Sequence, residues 1–184
     1  MAHPISALLA GAALSLASTA AFAQMTLTST DIAEDEMMSA DQEFDGFGCA
    51  GANLAPALSW SGAPAGTNSY IVMAYDPDAP TGSGFWHWAA FNIPADVTSL
   101  PTGVGTDGVP LPDGMVEARN DYSQNAFGGA CPPEGHGVHH YIFTVYAMPQ
   151  DALPLDETAS SAVIGFMAHT TSLDHATLTA LYER

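Results

Sequence analysis

The chain contains no lysine. Its only permanently basic side chains are Arg119 and Arg184, set against 20 acidic ones, for a formal net charge of −18. A surface so poor in cations cannot neutralise a phosphate backbone, which argues against nucleic-acid binding and against docking on anionic lipid. Such acidity keeps a protein soluble and suits saline surroundings. Cysteine is nearly as scarce, with Cys49 and Cys131 alone and no metal-ligand spacing between them. Long apolar runs are absent after the N-terminus, so nothing beyond it is predicted to span a bilayer. Neither an internal repeat nor a long low-complexity tract is present, and 184 residues suit one domain with a sizeable core.

The one apolar run, Ile5–Ala17, is followed by Ser-Thr-Ala-Ala-Phe-Ala. Ala21-Phe22-Ala23 fits the small-x-small cleavage pattern of a secretory signal peptide, although the run is preceded by no Lys or Arg. Residues 1–23 are therefore predicted to be removed, leaving a single domain over 24–184 that is periplasmic or secreted. All the acids lie in that part. In an oxidising compartment Cys49 and Cys131 are expected to pair; two buried thiols are the alternative. A bond would close a loop of more than 80 residues, worth roughly 4–5 kcal/mol on a chain-entropy model.

Alternation predicts strands at Met25–Ser29, Leu54–Trp60, Ser69–Tyr75, Trp86–Ile93, Met115–Arg119 and His139–Met148. Residues 94–112 are rich in Gly, Pro, Thr and Asp and read as an irregular connection. Apolar groupings over Glu157–Thr170, continued by Leu173, Ala176, Leu178 and Leu181, predict C-terminal helices. Strands first and helices last give a mainly-β or α+β fold.

Two segments carry chemistry. Asp76-Pro77-Asp78-Ala79-Pro80 ends one strand, and Trp86-His87-Trp88 opens the next. Asp76 and His87 thus stand at facing strand ends, a carboxylate beside an imidazole. Asp76 also reads as a turn-capping residue, and Asp78 fits the turn better still, bonding the loop backbone. Period two puts Trp86 and Trp88 on one face and His87 on the other. The second segment runs from Gly128-Gly129-Ala130-Cys131-Pro132-Pro133 to Gly137-Val138-His139-His140-Tyr141. His139 and Tyr141 share a face, His140 takes the opposite one, and His136 reads as an exposed loop residue.

Together these segments resemble the two signatures of the phosphatidylethanolamine-binding protein family, in its bacterial Raf-kinase-inhibitor-like branch. Ala118-Arg119-Asn120-Asp121-Tyr122 and Phe47-Gly48-Cys49 add to the likeness, which spans Met25 to the C-terminus. The resemblance implies a central antiparallel β-sandwich with peripheral and C-terminal helices. It also implies a ligand pocket formed by Asp76, His87, Gly129, Pro132, His139, Tyr141 and Tyr182. His140 departs from the family, which usually has arginine there. Imidazoles, a phenol and loop N–H groups are donors to phosphate-like oxygens. The expected ligand is a small oxyanion or phospholipid head group, with no cofactor. An unidentified protein partner and a homodimer stay open. Kinase regulation does not carry over to an exported acidic protein. The competing readings are a zinc hydrolase using His87, His139 and Asp76, and an acidic surface protein of purely structural role. Neither H-E-x-x-H nor G-x-S-x-G occurs.

Overall fold

The computed structural model describes residues 24–106 and 108–184. The predicted signal peptide, residues 1–23, lies outside the described residues. In chain order the elements are β1 (Thr26–Thr28), β2 (Asp45–Gly46), β3 (Cys49–Ala50), β4 (Leu58–Ser61), β5 (Ser69–Asp76), β6 (Phe85–Pro94), β7 (Ser99–Leu100), β8 (Val116–Glu117), β9 (His139–Met148), α1 (Ser161–Thr171) and β10 (Asp174–Tyr182). An antiparallel sheet in the order β10-β9-β5-β6-β8 faces a smaller one, β1-β4-β7, and β2-β3 form a separate hairpin. The fold is mainly β with antiparallel sheets, as the sequence predicts.

Alternation sorts the central strands into two apolar layers. Tyr70, Val72 and Ala74 of β5 and Tyr141, Phe143 and Val145 of β9 point between the sheets, where they meet Leu58, Trp60 and Leu100. Ile71 and Met73 of β5 and Tyr146 and Met148 of β9 point the other way, onto Ile164 and Ala168 of α1. Each large side chain so buried contributes roughly 1.5–3 kcal/mol, which favours this register over a slipped one. Ser160 caps α1, its hydroxyl accepting the Val163 N–H at 3.4 Å.

Two expectations need correction. Among the described residues α1 is the only α-helix, and the segment from Asp174 is a strand, not part of the predicted C-terminal helices. Ala176, Leu178 and Ala180 are buried in strict alternation, and β10 pairs with β9 along its whole length, Asp174 opposite Ala147 to Tyr182 opposite His139. The β-branched Thr177 and Thr179 favour the strand, and the otherwise open edge of β9 supplies its partner. The second correction concerns β6. Ala74 pairs with Trp88 but Tyr75 with Trp86, so His87 is an extra residue in a β-bulge. The bulge interrupts period two. Trp86 packs on the α1 layer and Trp88 in the inter-sheet layer, and His87 meets Tyr141 edge-on with ring centroids 5.0 Å apart. The two tryptophans therefore lie on opposite faces, and His87 joins Trp88.

Candidate functional site

Antiparallel pairing brings the end of β5 and the starts of β6 and β9 to one edge of the sandwich. Asp76 is the last residue of β5 and follows Ala74 onto the inter-sheet face, where it is 2 % exposed. Its Oδ2 accepts from His139 Nδ1 at 2.7 Å, and its Oδ1 accepts the Asp78 N–H at 2.8 Å. A buried carboxylate needs such partners, since an uncompensated charge is costly to bury. His139 is equally buried, and its Nε2 lies 2.7 Å from Nδ1 of His136, which is exposed. A carboxylate, a buried imidazole and a surface imidazole thus form one hydrogen-bonded line. Asp78 stays in the turn: its Oδ2 accepts both the N–H and the Nδ1–H of His140, at 2.9 and 2.7 Å. The His140 side-chain bond holds its carboxyl below the usual range. The histidine in place of arginine still serves as this acid's partner.

The bulge aims His87 at the glycine loop. Its Nδ1–H donates to the carbonyls of Gly128 and Gly129, at 2.7 and 3.1 Å. That fixes the tautomer, so Nε2 of the neutral ring carries a lone pair. Burial lowers the pKa of His87, opposed by the two carbonyl bonds and by the charges of Asp76 and Asp121. The loop spends its own donors on neighbouring segments of the chain. The N–H groups of Gly128, Gly129 and Ala130 go to His87 O, Asn53 Oδ1 and Gln42 O. Nothing larger than glycine fits at 129, because a Cβ would stand 2.4 Å from Gln42 O and 2.6 Å from Phe44 N. The expected row of loop N–H donors is therefore absent from residues 128–130, which offer carbonyls to His87 instead.

These side chains line a cavity of about 310 Å3 together with Phe47, Thr81, Phe85, Asp121, Tyr122, Cys131 and Pro80, Pro132 and Pro133. Tyr141 lines it too, 2 % exposed, and its hydroxyl has no hydrogen-bond partner. Burial, then the Asp76 charge, raises its pKa, so the group is a neutral donor. Tyr122 donates to Gly129 O at 3.1 Å and stacks on Phe44 with centroids 4.0 Å apart. The Cys49–Cys131 disulfide ties the β2-β3 hairpin to this wall across a sequence separation of 82 residues. Phe47 sits at the hairpin tip, 80 % exposed and at φ 53°.

Of the predicted pocket residues, Asp76, His87, Pro132, His139 and Tyr141 share the cavity. Gly129 and Tyr182 do not line it. Gly129 stands behind His87. The Tyr182 hydroxyl donates to Glu43 Oε2 at 2.6 Å, with its pKa pushed up to about 12 by burial and by that bond. It belongs to a strand rather than a helix. Sequence reasoning missed Asp121, Phe85 and Phe47 as cavity residues, though it noted two of their segments. It also missed the bond between His136 and His139, for which the three-residue spacing across a glycine was the available signal. Among the described residues no three His, Cys, Asp or Glu side chains converge as a metal-binding set, and no helix is long and apolar enough to cross a membrane.

An inter-sheet cavity at the β5-β6-β9 edge, closed by a glycine-proline loop, is the arrangement of a small-ligand binding fold. Residues 28–183 match the family model described as phosphatidylethanolamine-binding protein, and the chain belongs to that family. The UPF0098 protein YbcL of Escherichia coli is 48 % identical over 162 residues, 88 % of each chain. The UPF0098 protein YbhB of the same organism is 44 % identical over 158 residues, 86 % of this chain and 99 % of its own. The crystal structure of E. coli YbcL, described as a member of the mammalian PEBP family, superposes with a TM-score of 0.85 at 47 % identity, covering 88 % of this chain and 99 % of that one.

Proposed function

We propose that the protein is an exported, non-catalytic binder whose cavity takes an oxyanion of the phosphate class, as free phosphate or as a phosphoethanolamine-type head group. A partner protein would sense whether the cavity is filled. The observation that carries this reading is the Tyr141 hydroxyl, a buried donor with no acceptor of its own. Such a group costs about 1–3 kcal/mol to leave unsatisfied, and a ligand oxygen removes that cost. The family's name points to the same ligand class. Export is supported by the disulfide and by the apolar N-terminal run with its small-x-small end. The hydrolase alternative has no support in side-chain geometry, because both ring nitrogens of His139 are spent on Asp76 and His136.

The cavity is lined by no Lys or Arg, and burial keeps His87 neutral near pH 7. Protonating that ring adds the missing positive charge. Oxyanion affinity should therefore rise as pH falls, and the rise should lie below the ordinary histidine value of 6.5. Calorimetric titration with phosphate and phosphoethanolamine at about pH 7.5 and about pH 5.5 tests this. Sulfate, whose charge is constant over that range, separates protein protonation from ligand protonation. Tyr141→Phe should weaken binding about tenfold. Binding absent at both pH values, or stronger at the higher one, overturns the reading.

A further inference from the structure

Helix α1 covers only part of the outer face of the five-stranded sheet, and beside it that face is hollow. We propose that this hollow is a second ligand site, on the opposite side of the sheet from the inter-sheet cavity. It takes a small aromatic carboxylate, with the ring between two aromatic walls and the carboxylate on the imidazoles of His169 and His175. The two cavities share no lining residue, so this site is independent of the phosphate-class reading.

Strand register builds the walls. In one row across the sheet, His175 of β10 lies opposite Tyr146 of β9. In another, Ile142 of β9 lies opposite Tyr75 of β5, and Tyr75 opposite Trp86 of β6. Between them runs a row of smaller or more flexible side chains, Thr177, Thr144 and Met73. The middle row is a floor, and the aromatic rows rise on either side of it. Tyr146 and His175 stack with centroids 5.7 Å apart, and Tyr75 and Trp86 tilt together at 4.4 Å. α1 closes one end. A Cβ at Gly165 would touch both Met73 and the Trp86 indole at 3.4 Å, and His169 in the last turn meets Tyr146 edge-on at 5.3 Å. The enclosed volume is about 230 Å3. An apolar cavity of about 150 Å3 is enough for benzene, so one substituted ring fits.

The donors select the substituent. No Asp or Glu lines the hollow, in a chain with 20 of them, whereas two of the seven histidines do. Asp174, next to His175, lines a different cavity and accepts the Met25 N–H at 3.3 Å. Trp86 uses only its main chain, which is clamped to Asp121 at the mouth of the inter-sheet cavity. Its N–H donates to Asp121 Oδ2 at 2.8 Å, and its O accepts the Asp121 N–H at 3.0 Å. His175 likewise uses only main-chain groups. Among the described residues the Trp86 indole N–H and the His175 imidazole therefore have no hydrogen-bond partner. His169 keeps Nδ1 free of its contact with the Tyr146 hydroxyl, which Nε2 makes at 3.3 Å. The carbonyls that end α1 would repel an anion, but Thr170, Thr171 and Ser172 cap those of Phe166, Met167 and Ala168. A rim of donors above aromatic walls fits a ring that carries an acceptor.

The test is an NMR titration at about 0.15 M salt, which screens the net charge of the chain beyond about 8 Å. Benzoate is the probe. Cyclohexanecarboxylate lacks its aromatic ring, and benzylamine reverses its charge. Benzoate should bind with a Kd of about 1 mM or tighter, shifting the Trp86 indole N–H and the amides of Thr144 and Thr177. The other two tryptophans, Trp60 and Trp88, are buried and should not respond. Cyclohexanecarboxylate should bind at least about threefold more weakly, and benzylamine should not bind. Thr177 is exposed on an edge strand, and Thr177→Phe fills the floor; benzoate affinity should fall at least about tenfold. His175→Ala, also at an exposed position, should weaken it about three- to tenfold. Thermal unfolding checks that both variants fold, and if Thr177→Phe does not, His175→Ala decides. Shifts confined to residues 128–133 would put benzoate in the inter-sheet cavity and overturn the second site. Benzoate affinity unchanged by Thr177→Phe, benzylamine bound as tightly as benzoate, or no binding of any probe overturns it equally.

Discussion

Strand β6 contains two bulges, one near each end, and they have opposite fates. At the far end Tyr70 pairs with Ile93 and Val72 with Ala90, so Asn92 is the extra residue, at φ 57°. Both ends of its amide are bonded: Oδ1 accepts the Leu153 N–H at 2.7 Å, and Nδ2 donates to Leu153 O at 3.4 Å. Around it Ser69 donates to Gln150 O and Asn68 to Pro149 O. That end of the sheet is closed. At the near end the bulge carries His87, which spends one nitrogen on the glycine loop, while neighbouring Tyr141 spends nothing. The same backbone device seals one edge and opens the other. What differs is the bulged residue's own partners: Asn92 bonds Leu153 through both ends of its amide, whereas His87 bonds the glycine loop through one ring nitrogen and faces the cavity.

The largest effect that breaks this contrast is loss of the disulfide, which braces only the open edge. Cys49→Ser with Cys131→Ser should lower stability in urea by about 4 kcal/mol, the chain-entropy value for so long a loop. Amide exchange should speed up around the hairpin and the 128–133 loop, and not around Asn92. The next effect sharpens the contrast. Asn92→Ala should cost about 1–3 kcal/mol of unfolding free energy and leave ligand affinity unchanged. Tyr141→Phe should do the reverse: affinity falls, while stability holds or rises by up to about 1 kcal/mol, because the lost hydroxyl had no partner. The smallest effect comes from protonation. The folded pKa of His87 is lowered by burial, so below pH 6.5 the unfolded chain binds a proton that the native chain does not. Stability is then full above 6.5 and declines as pH falls toward the folded value. His87→Gln should flatten that part of the pH–stability curve measured by thermal unfolding.

Alternation made β5 and β9 legible and put His139 and Tyr141 on one face; that Asp76 meets them there comes from the pairing of β5 with β9. A bulge has no such signature, since one inserted residue looks like any other in a strand; the facing of His87 could not be read for that reason. Leu173, Ala176, Leu178 and Leu181 fit a helical period, while Ala176, Leu178 and Ala180 fit a strand. Only the vacancy beside β9 decides between them. Two cysteines in a chain read from its sequence as exported were enough to predict the pairing that the structure contains. The direction of the glycine loop's N–H groups was not legible, because it depends on Gln42 and Asn53, far away in sequence. Asp121 was visible as part of a motif, but its position at the mouth follows from its clamp on Trp86.

The pairing of β10 along β9 has a consequence for the order of assembly. Asp174 accepts the Met25 N–H across 149 positions, the Thr179 N–H reaches Glu34 across 145, and Gly135, in the loop beside the cavity, donates to Arg184 O at 2.7 Å. Contacts of such long range are slow to form. During vectorial synthesis the catalogue of cavity side chains is complete once Tyr141 has emerged, yet β9 keeps a bare edge until β10 arrives to cover it. The last nine-residue strand thus acts as a seam that joins the first and last parts of the polypeptide, and it fastens the cavity loop as it closes.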